Sequence, residues 1–394
     1  MADRYLVSGG TGDYDSTTNW AATSGGASGA SFPLIGDDII IDANSLNAPL
    51  NINVVSACKS FICSAYTGTI SMLSNLSVNG TTNTGNITLS AGMAITGVGS
   101  FIKVPTGTTG VITSNGVVFD CNFIFQAAAA TRTTITGAMQ VNKNVTWSLN
   151  STAINTINSG TISVGGDIIH NSPVAGTSPL QMIGTNPATI TQVATRFLST
   201  NLVINKTGIW NQVDLYFGST AGRTLTYTAG VANVTGTLFT TSFTTLNTNG
   251  MIWNTINHAS NNLNFTSICN ANKIEQTGST NIVFGGNSGF NINELHFTGS
   301  NNGQCTFTSG ITYKINTSII CLSTTTNLVF FRCLSGANAI IELKENAYMK
   351  LIRVNFQRIT ASNKTLRGVK STVDSFSKNI FNLSSNLNPY SITR

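Results

Sequence analysis

Fourteen carboxylates, three histidines and seven cysteines are the groups in this 394-residue chain that could move a proton, hold a metal or act as a nucleophile. Between residues 43 and 340 only five acids occur: Asp120, Asp167, Asp214, Glu275 and Glu294. The chemistry such a set could perform is glycan cleavage, which needs two carboxylates held about 5–9.5 Å apart. Asp120, Asp167 and Asp214 recur at a spacing of 47, which two coils of about 23 residues would bring into register. Glu275 and Glu294, 19 residues apart, would reach one face from adjacent coils. Surface carboxylates or turn caps explain the five equally well, and no two lie within ten residues of each other, so the expectation is a protein without enzymatic activity.

A second route to carbohydrate needs no acid. Trp147, Trp210 and Trp253, with Tyr216 and Tyr227, could stack on sugar rings, against the alternative that the three tryptophans fill a core. Metal chemistry finds little support. Asp13-x-Asp15-x-x-x-Asn19 has Thr18 and Ser24 where a calcium loop requires Gly and Glu. His170, His258 and His296 are too scattered for zinc and read as surface or turn residues. Gly9-Gly10-Thr11-Gly12 lacks the Gly-Lys-Ser/Thr ending of a phosphate loop. No cofactor and no metal site is expected. The cysteines (58, 63, 121, 269, 305, 321 and 333) are odd in number and read as reduced core thiols.

The elements that must position these groups follow from composition. Charged residues are 9% of the chain, against about 25% in an ordinary soluble domain, while Asn (47), Ser (40) and Thr (57) carry its polarity. That excludes helical bundles and coiled coils, whose exposed faces need Glu, Lys and Arg. Disorder is excluded by 41% hydrophobic residues arranged in short periodic runs. Leu50–Val55, Met93–Ile95, Phe101–Val104, Val117–Phe119, Phe123–Phe125, Val145–Trp147 and Ile282–Phe284 each read as a short strand. Such runs recur every 6 to 12 residues with no linker between them, more strands than one sandwich accommodates.

The fold class expected is therefore all-β, a right-handed parallel β-helix of about a dozen coils forming a rod. Low charge suits it, because like charges stacked about 4.8 Å apart would repel along its length. Residues 1–47 carry six acids against one Arg and read as an N-terminal cap or docking segment, 48–340 as the body, and 341–394 as a basic C-terminal cap or assembly segment. Within the tail, Leu366, Val369, Val373, Phe376 and Ile380 show helical spacing. Its bases are spread out, so no specific nucleic-acid binding is expected. No apolar stretch is long enough for a membrane-spanning helix, and the first residues show no export signal, which places synthesis in a cytoplasm.

Trp20 is large enough to cover the open end of a first coil, and Asp13, Asp15, Trp20, Asp37 and Asp38 are the candidate docking residues. The segment RYLVSGGTGDYDSTTNW followed by ATSGGASGASFPLIGDDIIIDANS resembles the opening of a family of β-helical proteins encoded by tailed bacteriophages. The match lies at Asn19, Trp20, Ser24, Gly25, Gly26, Pro33, Asp37, Asp38, Asp42, Ala43, Asn44 and Ser45. Ala57–Phe61 and Tyr66–Ile70 continue it, so it covers about 70 of 394 residues. The resemblance implies a virion structural protein of the fibre, spike or head-decoration kind, with other virion proteins as partners and a homotrimer as the assembly. The alternative is a tailspike depolymerase acting on host surface glycan.

Overall fold

The structure is a computed structural model. It describes residues 2–383 apart from 10, 81–84, 106–109, 128–130, 150–154, 173, 194–195, 219–221, 243, 248–250, 260–261, 268–269, 279–280, 286–288, 299–302, 323–328, 335, 364–365, 370–371, 374 and 376. The chain folds as two compact units, Met1–Asn211 with Ala229–Val231, and Gln212–Thr228 with Ala232–Arg394. Each is a parallel β-solenoid, and about 12 turns are present in all. Among the described residues the helical turns are the two short ones at Thr17–Asn19 and Ala43–Ser45. None is long and apolar enough to cross a membrane.

In the first unit Phe101 stands beside Phe123, Phe123 beside Val145, Val145 beside Ile168 and Ile168 beside Ile190, all in parallel register. These side chains are buried, because alternation along each strand sends every second residue inward. Phe101 and Phe123 lie face to face with centroids 6.0 Å apart. The second unit has its own interior stack, Phe265 on Phe284 at 5.1 Å and Phe284 on Phe307 at 5.6 Å. Each buried Phe contributes about 2–3 kcal/mol of transfer free energy.

The head is part of this stacking. Asp3–Leu6 pairs in parallel with Asp38–Ile41, which pairs in turn with Ser60–Cys63. The tail stacks too: Leu351 pairs with Gly368, and Leu366–Val369 pairs with Ile380–Leu383. Of the residues with helical spacing, Leu366, Val369, Val373 and Ile380 thus lie on strands and Phe376 lies outside the described residues; along the tail, bends fall where Arg353, Arg358, Asn363 and Asn379 take positive φ. Short strands pay for their bends in backbone strain, and asparagine bears that strain at small cost.

Bends vary in size. In the first unit residues 53–55, 73–75 and 98–100 form one corner on successive coils, since Ile52, Met72 and Gly97 share a level, as do Ser56, Leu76 and Phe101. A Cβ on Gly97 would strike the Met72 carbonyl and one on Gly99 the Ser74 carbonyl, so only glycine lets this corner lie against the coil before it.

Candidate functional site

The 47-residue spacing does not produce a register. Asp120 stands beside Thr96, whereas Asp167 immediately precedes Ile168, which stands beside Val145, and so falls at the level of Asn144. Asp120 instead faces Lys143, Oδ1 to Nζ 3.8 Å. Asp167 ends a series of side-chain rungs. Ser100 N–H donates to Asn75 Oδ1 at 2.9 Å, Asn144 N–H to Asn122 Oδ1 at 3.3 Å, Asp167 N–H to Asn144 Oδ1 at 2.8 Å, and Thr189 N–H to Asp167 Oδ1 at 2.8 Å. Asp214, in the second unit, does the same for Thr237 N–H at 2.7 Å. Asp167 and Asp214 therefore satisfy backbone donors from the next coil.

Glu275 and Glu294 do come together, in the second unit. They stand on the outward face of neighbouring strands, Asn270–Gln276 and Asn291–Phe297, in a register that sets Lys273 beside Glu294 and Glu275 beside His296. Acid and base alternate diagonally. Lys273 Nζ lies 3.1 Å from Glu275 Oε2, and His296 Nε2 lies 3.5 Å from Glu294 Oε2 and 2.8 Å from Ser318 Oγ. Burial and the Lys273 ammonium push the His296 pKa down, opposed by Glu294 and Glu275. One strand spacing across and two residues along puts the two carboxyl-bearing positions about 8 Å apart. That falls in the range used by inverting glycosidases, but a glycosidase acid needs an apolar enclosure, and here Glu275 touches the Lys273 ammonium while Glu294 lies against the His296 imidazole on the outward face.

The aromatic route fails on burial. Trp147, Trp210 and Trp253 have no exposed surface, so the reading of these three as sugar platforms is corrected to core filling. Trp147 stacks on Phe125 at 5.4 Å. Tyr216 does face outward, but Phe239 from the next coil lies parallel to it at 4.7 Å and takes one face of its ring, so that face is closed to a pyranose.

The docking residues of the head are similarly committed. Trp20 is fully buried, its Nε1–H donating to the Tyr14 carbonyl at 2.7 Å, so it packs the first coil and cannot be a contact residue. Asp37 is buried and accepts from Ala2 N–H at 2.8 Å and Leu34 N–H at 3.2 Å, which removes it from the docking set as well. Asp38 pairs with Lys59 at 2.6 Å, Asp13 accepts from Asn51 Nδ2 at 3.1 Å, and Asp15, the exposed one, accepts from Asn53 Nδ2 at 2.8 Å.

Two features run against the sequence expectation. His170 and His258 are not surface residues: both are fully buried, His258 Nδ1 lying 2.7 Å from Thr240 Oγ1. Alternation in Ile168-Ile169-His170 sends His170 to the same side as Ile168, which was the available signal. Lys103 and Lys206 are also buried. Lys103 donates to the Gly85 carbonyl, and Lys206 to the carbonyls of Gly165 (3.1 Å) and Ile183 (2.8 Å). Six cysteines are free and buried, while Cys269 lies outside the described residues. Comparison with known proteins found no matching family model, no matching curated protein and no matching solved structure.

Proposed function

We propose that this chain is a structural component of a tailed-phage virion, a fibre, spike or head-decoration protein that stiffens the particle or presents host-recognition surface. The observation that carries the reading is the commitment of outward polar groups to coil-to-coil contacts, as in the rungs at Asn75, Asn122, Asn144 and Asp167. A surface built this way is suited to rigidity. The likeness of residues 4–45 to β-helical phage proteins supplies the viral context. On this reading the protein is made in the host bacterial cytoplasm, joins other virion proteins and assembles as a homotrimer. Its coils wind right-handed, as about 98% of parallel strand crossovers do. Residues 1–47 serve as the attachment end and 341–394 as the closing segment. Mass spectrometry and immunogold labelling of washed particles test it: the protein should be present at fixed copy number, and its absence from particles overturns the proposal.

A second reading, depolymerase activity on host glycan, is favoured by the shared face of Glu275 and Glu294. Incubation with purified capsule or lipopolysaccharide is expected to release no oligosaccharide. Release that is abolished by Glu275→Gln or Glu294→Gln, in a variant that keeps its fold, would put the enzyme in place of the structural role.

A further inference from the structure

The first unit carries an aliphatic stripe that its own fold does not use. At the corner formed by residues 53–55, 73–75 and 98–100, Val55 is 79% exposed, Leu73 58%, Val98 82% and Val54 37%. Leu73 and Val98 share a column, because Met72 and Gly97 before them share a level. Gly97 and Gly99 fix the backbone of this bend, yet the residue between them points to solvent, where a polar side chain would serve the coil equally well. Exposed aliphatic groups grouped in this way mark a contact surface.

We infer that this corner is where a second copy of the chain packs, through Val54, Val55, Leu73 and Val98. In a trimer one patch meets its own copies where it lies along the three-fold axis, and there net charge on it would repel. None of the nine corner residues is charged. The charges that border it are already engaged within the chain. Asp15 holds the Asn53 amide at one end, and Asp120 faces Lys143 at the other. An unrelated charged partner would find nothing here to recognise, whereas an identical uncharged stripe gains apolar burial with no like-charge penalty. The inference deepens the oligomer reading given above and rests on it.

The test is the mass of the purified full-length chain by analytical ultracentrifugation at micromolar concentration. The wild-type protein should be a multimer, and Leu73→Lys with Val98→Lys should shift it to monomer with a roughly tenfold or greater weakening of association. Ser163→Lys, an outward substitution elsewhere in the same unit, should leave the mass unchanged. Circular dichroism checks each fold, and Leu73→Ser with Val98→Ser replaces the lysine pair if that pair misfolds. A folded double variant that keeps the wild-type mass overturns the corner while leaving assembly through another surface intact. A monomeric wild-type protein overturns both the corner and the oligomer. Equal dissociation by Ser163→Lys also sinks the assignment, since charge anywhere would then suffice.

Discussion

Lys103 is a cation placed where a cation is expensive. Burial pushes its pKa down to about 8, and the side chain has the Gly85 carbonyl as its hydrogen-bond acceptor. Between pH 8 and the unfolded value of about 10.4 the unfolded chain binds the proton and the native one does not, so stability rises with pH across that window. Below pH 8 the full penalty applies, on the order of 3 kcal/mol. Lys103→Met should therefore raise the denaturant midpoint at pH 7 and lose the alkaline rise relative to wild type. His170 works on the acid side. Burial pushes its pKa down to about 4, so between about 6.5 and 4 the unfolded chain takes up the proton, and stability falls as pH falls through that interval. Denaturant titrations at pH 7 and pH 4.5 should show a smaller difference for His170→Phe than for wild type. A matching difference in the two proteins would show that the native fold does not hold the His170 pKa below its unfolded value. The sequence carried a sign of both, since alternation from Phe101 and Ile168 sends Lys103 and His170 inward, but a chargeable side chain is read by default as exposed.

Strand positions were far more legible than their register. Short alternating runs marked Val145–Leu149 and Asn281–Phe284 nearly to their ends. Met93–Ile95, apart from its first residue, and Phe101–Val104 turned out to be parts of one bent strand, Ala94–Pro105, whose partner on the coil before changes from Thr69–Met72 to Leu76–Gly80 across the bend at Gly97 and Gly99. Coil length is what the sequence conceals. Phe101 and Phe123 share a level, as do Leu238 and Ile256, and as do Ile319 and Met349, so one turn can take 22, 18 or 30 residues. A fixed period such as 47 is then coincidence, whereas Glu275 and Glu294 were legible as a pair because their separation of 19 is close to one short coil. The rungs make a prediction at this scale. Asn144→Ala removes the acceptor of the Asp167 N–H and should cost about 1 kcal/mol by chemical denaturation. Asn144→Asp keeps an acceptor oxygen and should cost less; equal losses would mean that packing, and not the hydrogen bond, matters at Asn144.

For the molecule as a whole, the six cysteines among the described residues are free and buried. Burial pushes the thiol of Cys121 up to about 12, and those of Cys58 and Cys63 higher still, so none is a reactive thiolate at neutral pH. A chromogenic disulfide reagent should titrate at least six more thiols in denaturant than in buffer, and reductant should leave the thermal midpoint unchanged. Early reaction in buffer would show that the coils open.

Because the strands keep their levels whether a turn takes 18 residues or 30, chain can be added at a bend without moving anything above or below it. Peptide grafted into this 30-residue coil at the turn between Leu343 and Tyr348 should leave the flanking pairs Ile315 with Leu343 and Ile319 with Met349 in place. Such a scaffold can diversify its outer loops at little structural cost, and the same tolerance makes it a carrier for displayed epitopes at regular intervals.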